Sequence, residues 1–257
     1  VILGVPNVDP GAARWALVTG LPLIILSLVP LAFMREKPLE LVTSFKEMVD
    51  FRRMVSLGII AKLGLLSLMT GTAFGLTIRF FNVFFEEAHG ATDNQIGTIL
   101  ALGSITGASA ILISPILAQQ WGKVKSILFS QALSVPLLLL MAWVPSLSAV
   151  TMFFMLRGAA YGVAQPLRNQ LAMDMVTSRE RGTTAGFTHT FFDLGGGAGA
   201  GVAGMLIASG GFVSAFTAAA ALILVPAILY YVFFARVESQ ILERGRVPGV
   251  AVAGGSK

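Results

Sequence analysis

Seven long apolar runs, separated by short polar segments, constrain this chain more than any other feature of its 257 residues. A helix needs roughly 20 mainly apolar residues to cross the hydrocarbon core of a bilayer, and each run is long enough. The runs cover residues 12–34, 55–84, 94–119, 125–144, 147–176, 182–208 and 212–235. The sequence therefore predicts an all-α integral membrane protein, built as a multi-span helical bundle.

The composition also points to a bilayer as the solvent. The chain is 55% hydrophobic and 12% charged, with a mean hydropathy of +0.81, whereas soluble domains carry about 25% charged residues. It has no cysteine, which excludes disulfides and cysteine-based metal or redox sites. In a membrane protein, the formal charge of +5 favours basic cytoplasmic loops over a nucleic-acid partner.

The basic residues are divided unequally between the two sides of the predicted bundle. Most lysines and arginines lie in the tail and in the connections after the first, third and fifth runs. The opposite side has one charged loop, with Glu86, Glu87, His89 and Asp93. The positive-inside rule then places the C-terminus in the cytoplasm and the N-terminus outside, with the plasma (inner) membrane as the expected location. An odd number of spans with an external start predicts further helices upstream.

The last six runs form two sets of three with the same order of properties. In each set, a polar run interrupted by glycine or proline (55–84 and 147–176) comes first. A run rich in small residues follows, and then a run with almost no ionisable groups. Three-span units in opposite orientations are typical of secondary transporters. We therefore expect two inverted three-helix repeats plus one additional helix.

Three stretches resemble segments of one family, the major facilitator superfamily of secondary transporters. ATDNQIGTILALGSITG (residues 91–107) is similar to an outer loop and the start of the family's eighth helix. SPILAQQWGKVK (114–125) resembles the degenerate second copy of its signature loop, G-x-L-x-D-R-x-G-R-K. RNQLAMDMVTSRERGTTAGF (168–187) resembles the loop between its tenth and eleventh helices.

The resemblance implies a division of the chain into four parts. Residues 1–34 would be the last transmembrane helix of an otherwise missing N-terminal half, and residues 35–54 the cytoplasmic connector between halves. Residues 55–235 would be the six-helix C-terminal half, and residues 236–257 a basic cytoplasmic tail. The implied partners are the missing half, the lipid bilayer and a small-molecule substrate, and the implied mechanism is alternating access without a cofactor.

The signature-like loop supplies a candidate cytoplasmic gate, formed by Gly122, Lys123 and Lys125. Gln119 and Gln120 stand where the family's pattern has Asp-Arg, so the resemblance does not extend to the charge relay of that gate. The alternative role of the two lysines is to set the orientation of the chain in the membrane.

Two ionisable residues, Arg157 and Asp193, fall near the middle of consecutive antiparallel runs. At 1.5 Å per residue, they lie roughly 14 Å from the outer side and roughly 16 Å from the cytoplasmic side. This similar depth predicts that they pair. Three roles remain open: a permanent ion pair, an anion-binding Arg157, or a proton-coupling Asp193 whose carboxyl is ionised beside arginine and protonated alone. His189, one turn earlier, is a second coupling candidate that could instead hydrogen-bond to a neighbouring helix.

Uncharged polar residues complete the candidate cavity. Asn82, Tyr161 and Gln165 lie on the two runs that correspond to cavity-lining helices of the family. With Arg157, they are the predicted substrate contacts. Arg168 lies closer to the cytoplasmic end of its run, where we expect it to anchor the helix at the interface.

The sixth run is rich in glycine. Gly199, Gly201 and Gly204 match G-x-G-x-x-G, but no strand precedes them as a dinucleotide-binding fold requires. Gly195–Gly199 and Gly197–Gly201 have instead the spacing that lets membrane helices approach closely. We therefore predict that Gly195, Gly199 and Gly201 are helix-packing residues.

These features predict a permease or exporter for a small solute, which we expect to be proton-coupled. The alternative is a transporter-derived receptor or scaffold that moves nothing, which a cavity plugged by apolar side chains would favour. An enzyme is not expected, because the sequence shows no clustered constellation of acids, histidines or metal ligands.

Overall fold

A computed structural model of the chain describes residues 55–246, with side chains up to residue 238, together with three helical positions, Val18, Pro22 and Leu26. The chain divides into two units, Val1–Met48 and Val49–Lys257, and the fold reported below is that of the second. Apart from those three positions, the predicted first span and connector lie outside the described residues, as do residues 247–257.

The described part of the second unit is helical from end to end. Its elements are α1 (Leu57–Gly75), a 3₁₀ turn (Ile78–Phe80), α2 (Phe81–His89), α3 (Asp93–Ile111), α4 (Ser114–Trp121), α5 (Lys123–Trp143), α6 (Leu147–Asp174), a second 3₁₀ turn (Ser178–Glu180) and α7 (Arg181–Arg246).

The last helix, α7, is two antiparallel arms joined at Gly211. Gly211 has a non-helical backbone, with φ 68° and ψ −172°, in a region that glycine adopts without steric cost. The hydroxyl of Ser214 donates to the carbonyl of Leu206 at 2.7 Å. Eight residues of continuous helix would separate these groups by about 12 Å, so the chain reverses here. We call residues 181–210 the first arm and residues 212–246 the second arm.

Among the described residues, four helices are long and apolar enough to cross a membrane, or five if the bent pair α3 and α4 is one span. The longest covers 61 residues, about three times the length that a bilayer crossing requires, and it contains the reversal at Gly211. When this helix is counted as two arms, and α3 with α4 as one span, the described residues contain six spans, one for each of the six predicted runs that they cover. The all-α membrane fold class is confirmed.

Paired glycines hold the helices together in two equivalent contacts. A Cβ at Gly71, Gly75, Gly195 or Gly199 would come within 3.0 Å of the backbone of the facing helix, so α1 and the first arm touch backbone to backbone. The same holds for Gly162 of α6 against Gly107 of α3. In both contacts, the first helix of one three-helix repeat packs against the second helix of the other. This exchange is the packing expected of inverted repeats.

The first helices of the two repeats, α1 and α6, differ in whether they are interrupted. We expected both to be interrupted, and α1 does end at a 3₁₀ turn, where Thr77 has a non-helical backbone. In contrast, α6 is continuous although Pro166 lies inside it. The expected interruption of the second run is therefore wrong, because losing a single hydrogen bond at proline does not end this helix.

Charged contacts gather at one end of the bundle, and a cluster of aromatic rings lies at the other. At the charged end, Glu180 accepts hydrogen bonds from the backbone of Val55 at 2.7 Å and Ser56 at 3.3 Å. At the opposite end, rings of α2 pack against the start of the second arm, with Phe84 and Phe212 centroids 5.3 Å apart. The cavity-lining side chains described below lie between these ends.

Candidate functional site

An open polar cavity of about 170 Å³ lies between α1, α6 and the first arm of α7, with one residue from the second arm. Polar and aromatic groups make up most of its wall. The lining residues are Leu63, Ser67, Thr70, Tyr161, Gln165, Arg168, Asn169, Ala172, Thr188, His189, Phe192, Asp193 and Tyr230.

Four of the predicted site residues meet in this cavity: Tyr161, Gln165, His189 and Asp193. Gln165, His189 and Asp193 are exposed, and Tyr161 is half-buried. Among the side chains of residues 55–238, neither Asp193 nor His189 has a hydrogen-bond or ion-pair partner. The cavity therefore offers a carboxyl and an imidazole, one helical turn apart, to whatever enters it.

The predicted pair of Arg157 and Asp193 does not form in this structure. Arg157 is buried and donates to the hydroxyl of Thr77 at 3.2 Å, while its guanidinium lies 5.2 Å from the centroid of the Phe81 ring. It lines a second, smaller cavity between α1, α5, α6 and the second arm. Asp193 lines the open cavity, which shares Thr70, Tyr161 and Arg168 with the smaller one.

The glycine contact between α1 and the first arm explains this separation. Gly71 lies against the backbone of Phe192, so Asp193 is level with residue 71 of α1. Arg157 is level with Thr77, six residues or about 9 Å farther along. The pair was predicted because the two residues were expected to lie at the same depth. The register between α1 and the first arm places them at different depths instead.

Asn82 does not line either cavity. It lies in α2, beyond the 3₁₀ turn, and its side chain is exposed. A continuous helix through residue 82 would have kept it on a predictable face of α1. The break at Thr77 changes that direction, so its predicted place in the cavity is wrong for this structure.

Arg168 lines the cavity, although we expected it to anchor the helix at the interface. Its guanidinium lies 5.2 Å from the Tyr161 ring centroid. With the Gln131 amide oriented to satisfy both neighbours, Gln131 accepts from Arg168 Nη1 at 2.9 Å and donates to the Ile223 carbonyl at 3.2 Å. The signal in the sequence was its spacing: Arg168 lies seven residues after Tyr161, two helical turns along the same face.

Of the three predicted packing glycines, Gly195 and Gly199 lie against α1 at Leu68 and Thr72. Gly201 has no packing partner in the part of the chain that the structure describes: a Cβ there would meet nothing within 4 Å. A residue two positions beyond Gly199 points about 200° around the helix, which directs it away from α1. The prediction for Gly201 is wrong for this reason.

The predicted gate loop lies at the charged end of the bundle. Gly122 has a φ of 84° and separates α4 from α5. The Glu238 carboxylate accepts from the backbone N–H groups of Lys123 and Val124, and the Lys123 ammonium is paired with Asp174. Lys125 is exposed. A carboxylate from the second arm thus caps α5 next to the signature-like loop.

Comparison with known proteins gives a consistent result. A family model of the Major Facilitator Superfamily matches residues 63–250. The chain is 28% identical over 232 residues to the "Multidrug resistance protein MdtG" of Dickeya zeae (strain Ech586), which covers 88% of this chain and 56% of that protein. The crystal structure of the human organic anion transporter MFSD10 (TETRAN) matches with a TM-score of 0.60 and 22% identity, over 68% of this chain and 41% of that one. The chain therefore spans about half the length of these two proteins.

Proposed function

Because this chain belongs to the Major Facilitator Superfamily, we propose that it is the C-terminal half, with one preceding helix, of a proton-coupled secondary transporter for a small solute. The two inverted repeats would rock as one body against an N-terminal half. The open cavity would be this half's wall of the central pathway, exposed in turn to the two sides of the membrane.

The unpartnered carboxyl of Asp193 carries this proposal. It lies in an apolar span, where an ionisable group is costly and marks a substrate or proton path. Its exposed side chain faces the cavity and has no partner among the described side chains. A carboxyl near a cationic group favours its ionised form, and a carboxyl buried without one favours its protonated form. A change in the shape of the pathway that moves such a group would therefore make the carboxyl release or bind a proton. His189, which shares the cavity, would extend the path by one turn.

The character of the cavity favours transport over a receptor or scaffold. A non-transporting relative would fill this space with apolar side chains, whereas here Gln165, Asn169 and Arg168 line it. A volume of about 170 Å³ on one half would leave room for a larger shared site. The name of the bacterial relative makes drug-like compounds the first class of solute to test.

The distribution of charge supports the proposed orientation. Lys123, Lys125 and Arg181 lie near the charged end of the bundle. That end would face the cytoplasm of a plasma (inner) membrane, together with the C-terminus. The cavity lies nearer to this end, because Leu63 is six residues, or about 9 Å, from the start of α1.

The test uses the full-length protein in proteoliposomes that contain a pH-sensitive dye. A solute gradient from a panel of drug-like compounds is imposed on wild type, Asp193→Asn and the matched control Glu87→Gln. Glu87 is an exposed residue of α2 outside both cavities. We expect solute-dependent proton flux in wild type and Glu87→Gln, and none in folded Asp193→Asn.

Two results would contradict the proposal in different ways. Equal proton flux in wild type and Asp193→Asn would remove Asp193 from coupling while leaving transport intact. Failure of folded wild type to move any panel compound, with or without protons, would count against the transport function for this solute class.

A further inference from the structure

We propose that the small cavity around Arg157 is a binding site for a monatomic inorganic anion, of which chloride is the probe. This cavity lies between α1, α5, α6 and the second arm, and it adjoins the open cavity, with which it shares Thr70, Tyr161 and Arg168. Two arginines, Arg157 and Arg168, line it, and none of the described residues in its wall is acidic.

The size of the cavity suits a single ion. Its volume is about 30 Å³, whereas one water-sized sphere needs roughly 10–15 Å³. There is room for a monatomic anion or a water molecule or two, and too little for an organic solute. The volume therefore distinguishes this ligand from the solute of the adjoining open cavity, although Thr70, Tyr161 and Arg168 line both cavities.

The charge of Arg157 is not balanced by the described part of the protein. The residue is only 7% exposed, and its Nε has no hydrogen-bond partner among residues 55–238. Its contacts are the Thr77 hydroxyl and the Phe81 ring, and no carboxylate among residues 55–238 forms an ion pair with it. Arginine keeps its charge in proteins, and a buried charge without a counter-charge is costly.

The polar neighbours leave the guanidinium as the main free donor. The Thr70 hydroxyl donates to the Leu66 carbonyl at 2.7 Å and the Ser134 hydroxyl donates to the Ser130 carbonyl at 3.1 Å. Gln131 is held between Arg168 and the second arm. A cation would be repelled by both arginines, and a water molecule would leave the charge uncompensated. An anion in the cavity compensates the charge of Arg157, which a water molecule cannot do.

The experiment measures binding, so its outcome does not depend on transport. The full-length protein in detergent is unfolded thermally while chloride replaces gluconate at constant ionic strength. The variants are Arg157→Gln and the matched control Arg79→Gln. Arg79 is an exposed arginine in the 3₁₀ turn that follows α1, two residues after Thr77. We expect a saturable rise of Tm with chloride in wild type and Arg79→Gln, and none in Arg157→Gln. Crystals grown with bromide should show an anomalous peak beside the Arg157 guanidinium.

Four results would overturn the inference. One is a wild-type Tm that does not depend on chloride, and another is a full dependence that persists in Arg157→Gln. The others are bromide crystals with no anomalous peak at Arg157, and a carboxylate of the N-terminal half seated on it. If Arg157→Gln does not fold, the bromide peak in wild type decides between an anion and water.

Discussion

The backbone of Gly71 lies directly against Phe192: a Cβ at residue 71 would be 2.8 Å from the Phe192 carbonyl carbon. This contact sets the height of the neighbouring Asp193 relative to α1. The position of the carboxyl in the cavity therefore depends on a glycine in another helix. The same contact places Asp193 about two turns from the level of Arg157, at 5.4 Å per turn.

The first prediction concerns two glycines of the same helix. Gly199→Ala would push a methyl group into the backbone of Thr72, whereas Gly201→Ala would meet open space. Overpacking of this kind costs about 1–3 kcal/mol, so Gly199→Ala should lower Tm. Gly201→Ala should leave it unchanged or raise it, because alanine has the higher helix propensity. Thermal unfolding of both variants in detergent is the measurement, and equal Tm values would contradict the packing described here.

The second prediction concerns the carboxylate that caps α5. Glu238 accepts from two backbone N–H groups at the start of that helix. A negative charge at a helix N-terminus contributes up to about 2 kcal/mol when partly buried. Glu238→Gln should therefore lower the stability of the full-length protein, measured by thermal unfolding. Glu87→Gln, which removes an exposed carboxylate elsewhere, should not, and a loss of the same size in both variants would argue against a specific cap.

The third prediction concerns the residue that holds Arg168 in place. Gln131 is buried, and Gln131→Leu would leave Arg168 Nη1 and the Ile223 carbonyl without their partner. Leaving buried polar groups unsatisfied costs about 1–3 kcal/mol. We expect a lower Tm and, in transport assays, an altered apparent KM, because Arg168 lines the open cavity. Gln170→Leu replaces an exposed glutamine of α6 and is the matched control. A Gln131→Leu protein with wild-type Tm would contradict the role assigned to Gln131.

The fold could be predicted from the sequence because apolar run length determines how many helices can cross a bilayer. Six of the seven runs fall within the described residues, and they correspond to α1 through α7 once the reversal at Gly211 is counted. Gly211 was predictable as a short uncharged connection between two runs. The bend between α3 and α4, 43°, was not, because it falls inside a single apolar run.

The site could be predicted only where helix periodicity alone determines which face a residue occupies. Tyr161 and Gln165 are one turn apart on α6, as are His189 and Asp193 on the first arm, and both pairs face the same cavity. The pairing of Arg157 depended on the register between helices, which the glycine contacts determine. Gly199 and Gly201 look alike in the sequence, yet only Gly199 faces α1.

The most direct test of the central proposal, that the open cavity alternates between the two sides of the membrane, uses thiol labelling. This chain contains no cysteine, so Asn169→Cys in the cavity and Asp93→Cys at the start of α3 can be compared in a cysteine-free full-length protein. A membrane-impermeant thiol reagent is applied from the cytoplasmic side to one set of samples and from the outer side, where position 93 is expected to lie, to another, each with and without a transported solute. We predict that solute changes the labelling rate at position 169 and leaves it unchanged at position 93. A rate at position 169 that is the same in both conditions, in protein that binds the solute, would contradict alternating access through this cavity.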